Sequence, residues 1–212
     1  YAQHSSGMIG PLANRIGAVN TMVLNGDSGP VMAYNTDYLG ALNAITEGKN
    51  ITKNDLKHMQ AVVMGAGGVA RAVVACLTDS GCRVKIYNRT LERAERLALD
   101  FGCEYGSLET LSDINADLVV NCTSIGMYPD TEKSPLRGEF INEEMTVFDT
   151  VYNPVDTLLL RQAAEAGAHI IDGVSMFVNQ AMAQYKLFTG CNGDAGLMRK
   201  VATEELGRQS VG

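Results

Sequence analysis

A glycine-rich turn between an apolar strand and an apolar helix constrains this chain more than any other feature. The apolar run Ala61–Met64 leads directly into Gly65-Ala66-Gly67-Gly68-Val69-Ala70, which has the spacing G-x-G-x-x-A. In that spacing the first glycine permits a tight turn, and the second lets the backbone approach a pyrophosphate. The small third residue allows close helix–strand packing, and the pyrophosphate would lie on free N–H groups at the helix start. The segment therefore predicts a dinucleotide site.

The residues after the next strand distinguish two dinucleotides. The strand predicted over Val84–Tyr87 ends in Asn88-Arg89-Thr90. An NAD site usually has an acidic residue here, about 20 residues past the glycines, whereas this chain has Arg89 instead. A guanidinium suits a 2′-phosphate in charge and in bidentate geometry. The sequence predicts NADP, with Arg93 as a second cation; the alternative is that both arginines are solvated surface residues.

Strands and helices alternate from Ala61 onward and predict the fold class. Nearly continuous apolar runs are typical of strands that are covered on both faces, and strand–helix–strand repeats predict a Rossmann-like, doubly wound parallel α/β sheet. The predicted strands are Ala61–Met64, Val84–Tyr87, Leu118–Asn121, Thr146–Thr150 and His169–Asp172. The predicted helices are Val69–Ser80, Leu91–Phe101, Val155–Ala166, Ser175–Phe188 and Ala195–Leu206.

The segment before Ala61 follows a different pattern. Ala18–Leu24 and Val31–Tyr34 flank a turn-forming cluster and predict a hairpin, and Asp37–Glu47 is predicted to be a helix. A hairpin and one helix cannot bury a core alone, so we expect the remnant of a larger α/β domain. We expect three parts: residues 1–50 as the remnant of the substrate-binding domain, 51–172 as the dinucleotide-binding domain, and 173–212 as helices that pack back on the substrate-binding domain.

Composition and charge argue against several classes of function. The net charge is −7 and no cluster of lysine and arginine stands out, so nucleic-acid binding is not expected. No apolar run reaches the roughly 18 residues of a membrane span, and no signal peptide is recognisable. The cysteines are unpatterned, which favours reduced thiols in the cytoplasm. The histidines lack metal-ligand spacing, so we expect no metal.

Further segments resemble the shikimate dehydrogenase family, in the order of that family's motifs and over nearly the whole chain. The resemblance is strongest to the dehydrogenase half of bifunctional dehydroquinate dehydratase–shikimate dehydrogenases, and it implies a covalent dehydratase domain upstream as one partner. The substrate-side segments are Ile16–Thr21, Tyr34–Asp37 and Gly173–Ala181. The cofactor-side segments are Asn121–Met127 and Val151–Pro154.

The resemblance implies a reaction and the residues that carry it. The reaction is the reversible reduction of 3-dehydroshikimate to shikimate by NADPH, in which Asp37 is catalytic and shares a proton-transfer role with a lysine. Asn20, Asp37 and Gln180 would bind the substrate, and Tyr152 would lie beside the nicotinamide or the substrate. Further cofactor contacts would come from Thr123, Ser124, Gly126, Met127, Val151, Gly173 and Met176.

Several of these residues also have a purely structural interpretation. Asn20 would end a strand, Asp37 would cap the helix that follows it, and Gln180 would be an exposed helix residue. Met176 would fill the core, as a methionine on a helix more often does. As an ordered set, Asn20, Asp37 and Gln180 favour a site.

The lysine that the family pairs with its aspartate has no counterpart in this sequence. In the family it lies in a Val-Thr-x-Pro-x-Lys type segment ahead of the Gly-Ala-Val-Asn-Thr motif, and here the chain starts at Tyr1, shortly after that place. Three explanations stay open: a fragment of a longer enzyme, a catalytically disabled sensor of nucleotide or metabolite, or another proton donor. We predict NADP binding with little dehydrogenase turnover. Quinate dehydrogenase is the closest enzymatic alternative.

Overall fold

The computed structural model describes residues 7–24, 29–111 and 114–209. Its first part, residues 7–50, is a small lobe built on a three-stranded sheet. The strands β1 (Met8–Ile9), β2 (Thr21–Leu24) and β3 (Val31–Tyr34) lie in the order β1–β3–β2. Because β2 and β3 are antiparallel neighbours, the predicted hairpin is present, although its turn residues 25–28 lie outside the described residues. Helices α1 (Pro11–Ile16) and α2 (Asp37–Lys49) complete the lobe.

The second part is a six-stranded parallel sheet with helices on both faces. Its strand order is β6–β5–β4–β7–β8–β9, the doubly wound order, so the predicted fold class is confirmed. The strands are β4 (Gln60–Met64), β5 (Arg83–Asn88), β6 (Glu104–Ser107), β7 (Leu118–Asn121), β8 (Thr146–Asp149) and β9 (His169–Ile171). The helices are α3 (Gly68–Asp79), α4 (Leu91–Phe101), α5 (Leu158–Glu165), α6 (Gly173–Thr189) and α7 (Ala195–Gln209).

Some elements differ from the sequence prediction for local reasons. α5 begins at Leu158 rather than at Val155, because the hydroxyl of Thr157 accepts the N–H of Leu160 at 3.3 Å and caps the helix there. The edge strand β6 has no apolar run, so period-based reasoning misses it. β1 and α1 are missed because they are very short.

The small lobe shares its core with the large sheet. Ile16 on α1 and Ile45 on α2 are fully buried, and they belong to the same apolar cluster as Val63 on β4 and Ile86 on β5. α2 packs on both α3 and α6, and its first residue, Asp37, lines the same cleft as Thr150, which directly follows β8. No helix within the described ranges has both the length and the apolar character needed to cross a membrane.

Candidate active site

The glycine turn lies at the switch point of the large sheet, between β4 and β7. Gly65 has a φ of +113°, and its N–H donates to the Tyr87 carbonyl at 2.7 Å. A β-carbon at Gly65 would come within 2.9 Å of the Cys122 carbonyl oxygen, so the backbone itself demands glycine there. Ala70 is fully buried, as the predicted helix–strand packing requires.

The second and third glycines face open space, which fits a pyrophosphate. A β-carbon at Gly67 or Gly68 would meet no atom within 4 Å. No side chain caps the start of α3, and its first turn contains no acidic residue. The first N–H groups of the helix are therefore without partners inside the helix, and they face the side where a phosphate would be attracted by the helix dipole.

The arginines after β5 also fit a phosphate group. Arg89 and Arg93 are exposed, and neither takes part in an ion pair or a side-chain hydrogen bond with any described residue. The side-chain amide of Asn88 donates to the Thr90 carbonyl at 2.9 Å and shapes the loop between them. One unneutralised guanidinium group lies in the loop after β5 and the other in the first turn of α4, and two such cations suit a 2′-phosphate.

The loop after β7 is organised by Asn121, a residue that our candidate set omitted. Its side-chain oxygen accepts the N–H of Thr123 at 2.9 Å and the Thr123 hydroxyl at 2.7 Å. Ser124 and Met127 are exposed on this loop, as ligand contacts must be. Gly126 has a φ of +90° and lies against the Lys133 carbonyl, so its conformation alone accounts for glycine.

A buried carboxylate joins this loop to the next one. Asp149 at the end of β8 accepts hydrogen bonds from the Asn121 amide at 2.9 Å, the Val151 N–H at 3.0 Å and the Thr157 hydroxyl at 2.7 Å. Burial raises the pKa of Asp149 to about 6, although these three hydrogen bonds act in the opposite direction. The backbone of Val151 and the loop after Asn121 are therefore held by one group.

The three predicted substrate residues meet around the amide of Asn20. Its nitrogen donates to Asp37 Oδ1 at 2.8 Å and lies 3.3 Å from Gln180 Oε1. Its oxygen accepts the Thr36 N–H at 2.9 Å, which fixes the orientation of the amide. Thr36 is a further member of this cluster that the sequence did not single out. Loop, helix and C-terminal helix thus place polar atoms together, as recognition of a small polyol requires.

Asp37 does not serve as a helix cap. α2 begins at Asp37, but the first-turn N–H of Tyr38 is accepted by Asn35 Oδ1 at 3.2 Å. Burial raises the pKa of Asp37, and the hydrogen bond from Asn20 partly opposes that effect. Among the described residues Asp37 has no ion-pair partner, and none of the lysines lies against it.

One small cleft brings the two sets of residues together. Asp37 and Gln180 line it from the substrate side, and Val69, at the start of α3, lines it from the cofactor side. The other lining residues are Thr150, Tyr152, Gly173, Met176 and Phe177, of which Thr150 and Phe177 were not predicted. The rings of Tyr152 and Phe177 pack with centroids 4.9 Å apart. Met176 is buried in the core and also reaches the cleft, so both interpretations of it hold in part.

Gly173 allows the wall of this cleft to close. A β-carbon at Gly173 would overlap the Val151 carbonyl group and lie 2.9 Å from the Thr150 carbonyl oxygen. The start of α6 therefore rests directly on the backbone after β8. The Val151 side chain is buried, so Val151 can offer a ligand only its main chain.

A doubly wound sheet with an open glycine turn and two unpaired arginines defines a dinucleotide-binding protein of the NADP type. Comparison with known proteins identifies the family: residues 47–149 match the model of shikimate / quinate 5-dehydrogenase, and residues 173–203 match that of the shikimate 5′-dehydrogenase C-terminal domain. The chain belongs to the shikimate dehydrogenase family.

Individual relatives cover most of the chain. A shikimate dehydrogenase (NADP(+)) of Methanosarcina acetivorans is 41% identical over 92% of this chain and 71% of its own length. The chloroplastic bifunctional 3-dehydroquinate dehydratase/shikimate dehydrogenase of Arabidopsis thaliana is 38% identical over 86% of this chain and 32% of its own length. The solved structure of shikimate 5-dehydrogenase from Thermus thermophilus, in complex with NADP(H) and shikimate, matches with a TM-score of 0.81 and 37% identity over 93% of this chain and 72% of its own.

Proposed function

We propose that this chain binds NADP along the Gly65–Val69 turn and binds shikimate or 3-dehydroshikimate beside Asn20, Asp37 and Gln180. The observation that carries the proposal is the shared cleft, in which Asp37 and Gln180 lie opposite the start of the phosphate-binding helix. A cofactor on that helix and a polyol on those side chains would meet there. Family membership supports the same pair of ligands.

Each group of residues has a defined task in this proposal. The N–H groups at the start of α3 hold the pyrophosphate, and Arg89 and Arg93 hold the 2′-phosphate. When bound, NADPH supplies the hydride. Asn20 and Gln180 orient the substrate hydroxyls, and Asp37 accepts or returns a proton at its carboxylate. The raised pKa of Asp37 favours that exchange nearer to neutral pH than an ordinary aspartate would allow.

The proposal includes slow turnover for these 212 residues by themselves. The Asp37 carboxylate can hold a proton. Without a cationic partner beside it, however, the site has no general acid whose pKa would match that of the reacting oxygen. Measured NADP-dependent oxidation of shikimate should therefore be far below the rate of an ordinary enzyme, for which turnover numbers of about 10 s⁻¹ are typical. Oxidation at such a rate would disprove this part of the proposal.

The cofactor assignment is tested by calorimetric titration with NADP and NAD. Arg89→Ala should weaken NADP binding by about 10- to 100-fold, because it removes charge-assisted hydrogen bonds, and should leave NAD binding unchanged. Arg96→Ala is the matched control, since Arg96 lies on the same helix as Arg93, is exposed and belongs to no part of the site. Equal affinities for the two cofactors, unaltered by Arg89→Ala, would overturn the 2′-phosphate site.

The family name also covers quinate, which is the second candidate substrate. Titration of the NADP-loaded chain with shikimate and with quinate separates the two. Preference for quinate would move the assignment to quinate dehydrogenase, although Arg89 argues for NADP and those enzymes often use NAD.

Three broader parts of the proposal rest on indirect support. The division into residues 1–50, 51–172 and 173–212 is supported by the packing of α6 on α2, and limited proteolysis tests it. The cytoplasm is the proposed compartment, because all five cysteines are free thiols, and microscopy of a tagged chain tests it. A dehydratase domain on the same polypeptide has a precedent in the Arabidopsis relative, and the mass of the intact native polypeptide tests it.

A further inference from the structure

We propose that Arg71 is a positioning residue that couples the phosphate-binding turn to the loop that carries Asn20. This inference rests on the proposed function, since Arg71 would couple the proposed NADP site to the proposed substrate site. Arg71 lies in the first turn of α3, and its N–H donates to the Gly67 carbonyl at 3.0 Å. Its backbone is thus part of the phosphate-binding turn, while its side chain points to the small lobe.

The guanidinium of Arg71 is held on several sides. Its Nε donates to the Ile16 carbonyl at 2.5 Å, and its Nη2 donates to Asp100 Oδ2 at 2.8 Å. The group also lies over the ring of Phe101, with 5.7 Å from Cζ to the ring centroid. The side chain is only 24% exposed, so these contacts are partly shielded from water. The planar guanidinium donates to these two acceptors from two different nitrogens, whereas the ammonium group of a lysine has a single nitrogen from which to donate.

The carbonyl that Arg71 holds belongs to the end of α1, where the chain turns toward Asn20. Ile16 is the last residue of α1, and its carbonyl has no partner within that helix. Gly17 then takes a φ of +71°, and a β-carbon there would lie 2.9 Å from Arg71 Nη2. The left-handed turn favours glycine there, and the missing side chain leaves room for the guanidinium.

The other end of this loop is anchored in the substrate cluster. The Ala18 carbonyl accepts the Asn35 side-chain amide at 3.2 Å, and the Asn20 N–H donates to the Tyr34 carbonyl at 3.1 Å. Asn20 then contacts Asp37. Residues 17–20 are consequently held at one end by Arg71 on α3 and at the other end by hydrogen bonds within the small lobe.

A ligand on the glycine turn should therefore stiffen the Asn20 loop. A phosphate bound to the first N–H groups of α3 restricts the turn of helix from which Arg71 projects. Restriction of that turn favours the guanidinium–carbonyl contact and lowers the chance that residues 17–20 open. Ordering of this kind couples two sites without a large change of shape. Each step from the glycine turn to the Asn20 loop is a direct contact between two described groups. The coupling free energy has to be measured by substitution of a residue on this path.

Hydrogen–deuterium exchange with saturating NADP tests the coupling in the full chain. In the wild type, NADP should slow exchange at the glycine turn and, by about fivefold or more, in peptides covering residues 17–22. Arg71→Met should bind NADP with an affinity within about threefold of wild type, while the slowing at residues 17–22 falls below about twofold. Arg71→Lys keeps the charge without the fork and should give an intermediate slowing, which provides a second variant if Arg71→Met fails to fold.

Two control variants separate the Ile16 contact from general effects. Asp100→Asn keeps the guanidinium on the Ile16 carbonyl and should retain most of the slowing, and Arg96→Met should behave as the wild type. Full slowing in both Arg71 variants would overturn the coupling, and so would loss of NADP affinity as large as that of Arg89→Ala. If the wild-type turn itself shows no slowing with NADP, the proposed function fails first. Slowing at the turn without slowing at residues 17–22 rejects the coupling alone.

Discussion

The two sides of the candidate site, the cofactor wall and the substrate wall, are made of different parts of the chain. Apart from the side chains of Arg89 and Arg93, the cofactor wall is largely backbone: glycine turns, helix N–H groups and the close contact of Gly173 with Val151. The substrate wall is made of side chains that hydrogen-bond to one another around Asn20. The first wall should therefore be sensitive to added atoms, and the second wall should be sensitive to removed atoms.

The largest expected effect on the free energy of unfolding comes from adding one methyl group to the cofactor wall. Gly173→Ala should lower the free energy of unfolding by about 3 kcal/mol or more, because the new methyl overlaps the Val151 carbonyl and two backbone segments must separate. Urea denaturation measures the change. The matched control is Gly207→Ala on α7, where a β-carbon meets nothing within 4 Å. That control should be neutral or stabilise by about 0.5 kcal/mol, and an equal loss in both variants would refute the steric argument.

Substitution of Asp149, which is buried beneath the cofactor wall, should have the next largest effect on the free energy of unfolding, and that effect should depend on pH. Burial raises the pKa of Asp149 to about 6, whereas an unfolded aspartate titrates near 3.9. Between these values the native state binds more protons than the unfolded state, so this group reduces the free energy of unfolding as the pH rises through about 4 to 6. Asp149→Asn should therefore gain stability relative to wild type between pH 4 and pH 7, on the order of 2 kcal/mol.

Urea denaturation of both proteins at several pH values measures that gain. The amide can replace the carboxylate, because its oxygen can accept from Asn121 and Val151 while its nitrogen donates to the Thr157 hydroxyl. Asp156→Asn, at an exposed residue, is the control. A difference between Asp149→Asn and wild type that stays constant with pH would contradict the assignment.

Removal of the Asn20 amide from the centre of the substrate wall should have a moderate effect on the free energy of unfolding. Asn20→Ala deletes the hydrogen bonds to Asp37 and Thr36 and should cost about 1 kcal/mol of unfolding free energy. The hydrogen bond from Asn20 lowers the pKa of Asp37, so the same substitution should raise that pKa further. Carbon-13 NMR titration of the carboxyl group follows the shift. Asn43→Ala, at a residue of α2 whose amide lies beside Asn179 rather than Asp37, should leave the pKa of Asp37 unchanged. A pKa of Asp37 that Asn20→Ala does not move would count against the cluster.

The smallest expected effect concerns the contact between the lobes. The Tyr38 hydroxyl on α2 donates to Asp79 Oδ2 on α3 at 2.9 Å, and Arg15 on α1 pairs with the same carboxylate. Tyr38→Phe should cost about 0.5 kcal/mol, since the arginine keeps Asp79 satisfied. Tyr105→Phe removes a comparable bond to Glu95 within the large lobe and is the control. Differential scanning calorimetry should show one transition for each variant, and a separate small-lobe transition in Tyr38→Phe would contradict this view.

Sequence reasoning was most successful where one local rule decides the structure. Leu118–Asn121 and Leu91–Phe101 were predicted with their observed bounds, because a buried parallel strand and an amphipathic helix have strong periodic signals. The glycine turn was equally clear, since the motif encodes its own backbone. Asn20, Asp37 and Gln180 were grouped by family resemblance, and no local pattern would have joined residues so far apart in the chain.

The residues that were missed act through long-range contacts. Asp149 reads as the polar end of a strand, and only the fold shows that it binds Asn121 and Thr157. Arg71 reads as a polar residue of an apolar helix, although its partner Ile16 lies 55 positions earlier. Contacts of this kind have no period and no spacing, so their signal is absent from a single sequence.

The shared core has a consequence for how the protein melts. Since Ile16 and Ile45 pack in the same cluster as Val63 and Ile86, the described residues of the small lobe, 7–24 and 29–50, form no separate apolar cluster on which this lobe could remain folded. Heat should therefore unfold both lobes in a single cooperative transition. By mass action, a nucleotide that binds only the large lobe would then protect the small lobe against proteases as well. The concentration of the cofactor would in this way determine how long the substrate wall stays folded in the presence of proteases.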